Sequence, residues 1–249
     1  MMELTRITQA MFDTFPIVDG MKRGVTGDYS DIKEFPSYCY FEDHCKFRDH
    51  CVFGTHCGFG EFCEFKDACI FRTECCFDNG CAFGEKCKFE NDCDFWRQCS
   101  FEKWCTFGND CRFIEFCSFG NDCYFEQFCN FGTGCNFKNF CGFGESCEFG
   151  SKCSFSAECR FGMGCDFGPN CVCEFGEFSN MISCVGFGGK LKVVYFFLLN
   201  NREIFVRWEC FHDNIDNWSK KIHKMYKGTN IESAYMSLIY AVKAQFNVD

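Results

Sequence analysis

From Cys39 to Cys171 a cysteine falls at every sixth residue without insertion or deletion, 23 in all. Two residues after each of the first 22 stands a phenylalanine, from Phe41 to Phe167. The next residue is glycine in 10 of those 22 units, as in Cys57-Gly58-Phe59-Gly60 and Cys105-Thr106-Phe107-Gly108. A fixed C-x-F-G-x-x period over more than half of a 249-residue chain demands a stacked architecture in which each unit contacts its neighbours. Strand side chains alternate, so an i, i+2 apolar pair faces one way and the remaining residues make a corner. Glycine is expected at that corner for its backbone freedom, followed by turn formers such as Asp49, Asn91, Asn109 and Asn121. A helix is excluded, because six residues advance about 600° on it and the phenylalanines would form no stripe.

The unit resembles the hexapeptide repeat of left-handed parallel β-helices, with Cys in the small inward place and Phe in the aliphatic one. The resemblance spans Cys39 to Gly176 and implies three hexads per 18-residue coil, hence nearly eight coils at roughly 4.8 Å each, on the order of 37 Å of rod. The expected class is therefore mainly β, a parallel β-helix with a small C-terminal α+β domain. The unit, together with a tail around Trp208, Cys210, Phe211 and Trp218, is also similar to Cys/Phe hexapeptide chains among uncharacterised bacteriophage proteins, which implies a setting and no mechanism.

The 27 cysteines admit three readings. A disulfide scaffold needs secretion, and Met1-Met2-Glu3-Leu4-Thr5-Arg6 lacks the apolar run of a signal; bridges between stacked coils would also strain the ladder. Zinc and iron–sulfur sites want cysteines two to four residues apart, and Cys75-Cys76 and Cys171-Val172-Cys173 have no second pair at that spacing. The favoured reading is reduced, buried thiols filling space between phenylalanine rings. Burial of one Phe contributes roughly 2–3 kcal/mol, so the repeat dominates stability. The expected location is cytoplasmic, in the host if phage-encoded, with no membrane association and no cofactor or metal.

Residues 1–32 lie outside the repeat and are expected to cap the first coil, covering open strand edges. Leu4, Ile7, Met11 and Phe12 suggest a short helix, and Gly20, Gly24 and Gly27 a loop. Phe35 lies six before Phe41, so a degenerate unit with Lys33 in the cysteine place opens the solenoid over 33–176. Register is lost at Cys171-Val172-Cys173-Glu174-Phe175-Gly176. A link over 177–189 is expected next, then a ββαα domain over 190–249: strands 190–199 and 204–208 around Asn200-Asn201, a helix capped by Asp213 with Ile215, Trp218, Ile222 and Met225 on one face, and a last helix after Thr229. That final helix carries Ile231, Ala234, Tyr235, Leu238, Ile239, Val242 and Phe246 at helical spacing.

Outward positions carry the specificity. His44, His50 and His56 precede consecutive cysteines, which a three-sided coil sends to three corners, too far apart to share an ion. An 18-residue coil files Glu74, Asp92 and Asp110 in one column, where they raise one another's pKa, hold a cation or a basic partner, or splay into water. It also sets Trp96 above Ile114 with Phe116 beside them, and such large apolar groups are costly unless covered. These six residues are the candidate partner-binding set, the partner being another protein or a second copy of the chain. Residues 39–176 carry 22 acidic and 12 basic side chains, and residues 177–249 carry 7 and 9. The acidic repeat lacks the basic face that phosphate binding needs, although pentapeptide-repeat proteins show that an acidic solenoid can mimic nucleic acid.

Many left-handed β-helices are trimeric acyltransferases with a catalytic histidine on an extruded loop. No loop interrupts Cys39 to Cys171, no histidine there has a neighbouring acid pattern, and no nucleophile-elbow, Walker or dinucleotide motif occurs. No catalytic residue is assigned. The residue after each Cys (Tyr40, Lys46, Val52, Gly58, Glu64) forms no flat Thr ladder of the ice-binding kind. The expected function is a non-enzymatic acidic binding protein, with an acyltransferase-like enzyme and a structural particle component as alternatives.

Overall fold

A computed structural model describes residues 4–174, 176–185, 193–208 and 211–248. The chain divides into two units, Met1–Cys165 and Asp166–Asp249.

The first unit is a three-sided parallel β-solenoid. Residues 18 apart pair in register: Tyr40 with Gly58 on face I, Lys46 with Glu64 on face II, and Val52 with Ile70 on face III. The expected three hexads per coil are therefore present. Most strands hold only two residues, such as Asp94–Phe95 and Ser100–Phe101, because each hexad must also turn a corner. The sheet of face III contains eight of them.

Three columns of phenylalanine fill the interior. Phe77 and Phe95 stack with centroids 4.9 Å apart and planes 3° from parallel. Phe95 and Phe101, on adjacent faces, meet edge to face at 5.0 Å and 84°. Each ring thus combines offset stacking along the axis with T-shaped contacts across it, the two favourable quadrupole geometries. Cys and Phe of every unit from Cys39 to Phe161 are buried.

The cysteines do more than fill space. The Cys63 thiol donates to the carbonyl of Glu42 at 3.4 Å, Cys81 to that of Gly60 at 3.3 Å, and Cys111 to that of Glu90 at 3.4 Å. In these and the equivalent bonds from Cys57 onward the acceptor is the residue after Phe, 21 positions earlier, where the chain leaves the ladder and its carbonyl would otherwise lack a donor. Cys45 and Cys51, under the N-terminal segment, use Val25 and Ile32 instead. Every described cysteine is a free thiol. The adjacent Cys63 thiol and burial push the Cys45 thiol well above its ordinary pKa, and Cys111, Cys75 and burial do the same to Cys93. Cys45 and Cys93 therefore keep their protons and can donate.

The corner differs from the expectation. The left-handed residue is the sixth of the unit, immediately before Cys: Glu74 (φ 61°), Asp92 (58°), Trp104 (62°), Phe116 (55°) and their equivalents. Its N–H turns to the next coil, as Asp92 donates to the Asn109 carbonyl at 3.0 Å. Glycine after Phe has ordinary φ and serves close approach instead; a Cβ on Gly60 would lie 2.3 Å from Asp43 Oδ1. The fifth residue joins the coils by side chain, since Asn91 Oδ1 accepts from Asn109 N at 3.0 Å and Asn109 Oδ1 from Gln127 N at 3.0 Å.

The N-terminal segment closes the columns. Thr8 caps a helix over Gln9–Asp13 that puts Phe12 above Phe41, planes 10° apart. Tyr29 stacks on Phe47 at 5.2 Å and Phe35 on Phe53 at 4.7 Å, confirming the degenerate unit, so the columns end in Phe12, Tyr29 and Phe35. Gly20 turns a hairpin that pairs Ile17–Val18 antiparallel to Met21–Gly24, and an antiparallel edge does not continue the parallel coil. Met11, expected on the buried side of the helix, is exposed.

In the second unit the expected link over 177–189 is a strand, Gly176–Val185, because Phe178, Met181 and Ile182 pair it with the next strand. Val193–Leu199 and Ile204–Trp208 form the expected hairpin, and Phe211–Asn214 adds a further antiparallel strand. Positions 190–192 and Cys210 lie outside the described residues. Asn214, not Asp213, caps the helix Ile215–Tyr226; Asp213 belongs to the strand, and Met225 is exposed. Thr229 caps Asn230–Gln245, its Oγ1 accepting from Glu232 N at 3.3 Å, while the Glu232 carboxylate accepts from the Gly228 N–H one residue before the cap, at 2.6 Å. Ile231 and Ala234 are exposed on that helix. Val194, Phe196, Val206, Trp208, Trp218, Tyr235 and Ile239 make its core.

Substituting Phe95→Ala should cost about 3–5 kcal/mol, and Cys111→Ala about 1–3 kcal/mol by removing the donor to Glu90, both read from urea midpoints. Cys111→Val refills the volume without donating. If Val restores full stability, the thiol is filler and the hydrogen-bond role is wrong.

Candidate interaction surface

All six sequence-derived residues fall on face I, a consequence of the 18-residue coil. One coil crosses it from a corner at Asp92, through outward Asp94 and Trp96, to the next corner at Gln98; the following coil runs from Asp110 through Arg112 and Ile114 to Phe116. Glu74, Asp92 and Asp110 line one edge, and Trp96, Ile114 and Phe116 the other. About four strand residues, some 13 Å, separate Asp92 from Trp96.

The acidic edge is not uniform. Glu74 is paired with His56, Oε2 to Nε2 at 2.7 Å, and His56 stacks on Tyr38 at 4.8 Å. Asp92 and Asp110 have no ion-pair partner among the described residues. Burial, then Asp110 and Glu74 among other neighbouring charges, raise the Asp92 pKa above its ordinary value. Between the edges, Arg112 grips Asp94 with two nitrogens, at 2.7 Å and 2.5 Å. Asp92, Asp94, Asp110, Arg112, Phe128 and Asn130 line an open cleft of about 280 Å³. Phe128, 54% exposed, is its apolar wall.

On the other edge Trp96 is 51% and Phe116 53% exposed. The Phe116 ring lies over Gly134, where a Cβ would come within 2.6 Å of it. The arrangement recurs: Phe62 lies over Gly80, Tyr40 over Gly58 and Tyr124 over Gly142. An aromatic with glycine 18 residues later therefore covers backbone of its own coil stack, a pairing visible in the sequence once the coil length is known. Trp96 has Ile114 in that place, so its exposure has no such internal use.

Sequence reasoning missed three parts of this face. The Asp94–Arg112 pair needs only the 18-residue rule and could have been found. Phe128 belongs to the Asp92 and Asp110 column and was overlooked among the repeat's many phenylalanines. The cleft itself depends on side-chain directions that no spacing gives. His44, His50 and His56 do stand on three different corners. No group of three His, Cys, Asp or Glu side chains among the described residues is placed to hold a metal. No described helix is long and apolar enough to cross a membrane.

Comparisons with protein-family models, with curated proteins and with solved structures return no match to this chain.

Cys76 is the outward residue of face I one coil before Asp94 and the single exposed cysteine among those described. Burial and Asp94 raise its pKa. Native protein treated with a maleimide should therefore label at Cys76 first, more slowly than free cysteine at pH 7 and faster as pH rises, with the repeat thiols reacting only on unfolding. Peptide mapping that finds repeat cysteines labelled early would contradict the closed core. Separately, Asp92→Asn should raise the melting temperature at pH 7. The ionised Asp92 opposes folding only above its raised pKa, so the gain should vanish as pH falls through it; a gain that persists at low pH would refute the assignment.

Proposed function

We propose that the chain is a non-enzymatic binding protein whose solenoid presents face I to a protein partner. The observation that carries this reading is the convergence of unpaired carboxylates, a cleft and uncovered apolar side chains on one rigid face. Solvent-exposed Trp and Phe in the left-handed corner conformation or beside it are costly to keep without a use. Face I is also of suitable size: about eight coils at roughly 4.8 Å and a width of roughly 20 Å give about 760 Å², close to one side of a standard interface. A rigid scaffold adds little ordering entropy to association.

The same reading takes the chain as a left-handed hexapeptide-repeat β-helix acting in a reducing cytoplasm, where buried free thiols persist, and its setting as a phage product that engages a host protein. The unbroken 18-residue register supports binding over acyl transfer, because a loop-borne catalytic histidine has no insertion on which to sit. The acidic surface, net −10 over 39–176, suits a partner that is itself basic, nucleic-acid-binding proteins included.

Affinity purification of tagged full-length chain from the cells that contain it is the direct test. One stoichiometric protein should be recovered, and Trp96→Ala with Ile114→Ser should weaken its retention about ten-fold or more while the circular dichroism spectrum stays unchanged. Recovery only with assembled particles, or retention unaffected by the double variant, would defeat the proposal.

A further inference from the structure

We propose that face I recognises a cationic, arginine-bearing surface of a different protein, the guanidinium entering the Asp92, Asp110 and Phe128 cleft while apolar side chains cover Trp96 and Ile114. This rests on the protein-binding reading and specifies the partner's chemistry.

The cleft already holds one guanidinium. Arg112 lies in it, bidentate on Asp94, so a carboxylate of this face already takes a planar fork in the geometry such pairs favour. Asp92 and Asp110 stand beside that pair with no ion-pair partner among the described residues, leaving the six lining side chains with a net charge of −2. Phe128 offers an exposed ring for the flat face of a second guanidinium. A bare divalent ion fits less well, since among the described residues no three carboxylates converge as a metal-holding group, whereas a guanidinium needs only one or two carboxylates and a flat face.

Symmetry argues against a second copy. Two copies packed face to face are related by a two-fold axis in the interface plane. With rods parallel, the acidic edge of one meets the apolar edge of the other, desolvating Asp92 and Asp110 against Trp96 and Ile114. With rods antiparallel, acid meets acid. Neither arrangement is complementary, whereas a partner with a cationic strip about 13 Å from an apolar strip satisfies both edges at once.

The test titrates full-length chain, by fluorescence anisotropy at physiological salt, with a labelled arginine/leucine peptide. Its leucine-to-alanine version keeps the charge, and its citrulline version keeps the shape without charge. The first should bind at least about ten-fold tighter than either control, and Asp92→Asn with Asp110→Asn should remove about ten-fold of that affinity. Glu126→Gln, at an exposed acid on face III, should leave it unchanged. Equal affinity for all three peptides, no measurable binding, or an equal loss from the face III variant would overturn the inference. Sedimentation of the wild-type chain as a dimer dissolved by Trp96→Ala would overturn it too. A purified partner that depends on Trp96 and Ile114 but is indifferent to Asp92→Asn with Asp110→Asn would overturn the cationic specificity and leave the binding reading standing.

Discussion

Ring stacking along the axis of the first unit sets the terms for everything else in it. An 18-residue advance returns each Phe to the ring of the previous coil at about the 4.8 Å that parallel strands require, and stacked aromatics tolerate the same spacing. Phe59, Phe77 and Phe95 show both demands met at once, with centroids 4.9 Å apart and planes within 3°. An insertion of one residue would misplace the rings of every later coil, which is reason enough for the unbroken hexad spacing. The thiols follow from the same geometry. Each corner leaves a carbonyl outside the ladder, and cysteine is small enough to sit between rings while still donating a hydrogen bond.

This regularity has a consequence for function. With the interior committed to two residue types, variation is confined to the second, fourth, fifth and sixth places of each unit, and those places form straight columns. A face of such a solenoid is a grid on which side chains far apart in sequence stand at fixed separations. Asp92, Arg112 and Phe128 border one cleft because the grid brings them together, without any loop having to fold. The exposed aromatics divide into two classes on the same grid. Tyr40, Phe62, Phe116 and Tyr124 cover a glycine of the following coil; Trp96 does not. Trp96, Phe128 and Phe140 are therefore exposed without that internal use. Trp96 and Phe128 stand on face I, where Phe116 contributes to the same edge as Trp96 while also serving its own stack.

The ends of the solenoid obey a different logic from its middle. Phe12, carried by a short helix and not by a hexad, stacks where a preceding coil would have put a ring. Hairpin residues Ile17 and Val18 turn the first strand edge antiparallel. Both devices terminate a pattern that would otherwise template its own continuation. The second unit is built on ordinary grounds, an antiparallel sheet with one face against two amphipathic helices, and its aromatic core around Trp208, Trp218 and Tyr235 has no period at all.

What the sequence by itself determined was a solenoid, its inward residues and the degenerate unit at Phe35. Those follow from strand alternation and a period of six, which act locally and repeat. The 18-residue coil that brings Glu74, Asp92 and Asp110 into file was implied by the hexapeptide-repeat resemblance and decided by the pairing of strands. Only the tertiary structure decided that the left-handed corner falls on the residue before Cys, that the thiols donate to carbonyls 21 positions back, and that 176–185 is a strand. Each depends on where a neighbouring coil or strand presents its hydrogen-bonding groups. The cleft beside Arg112 belongs with these, since a column of residues gives order along an axis but not the direction in which each side chain leans. Phe178, Met181 and Ile182 illustrate the same limit in the second unit. Their spacing, three residues and then one, is not strand alternation, and the segment becomes a strand because Val193–Leu199 offers an edge to pair with.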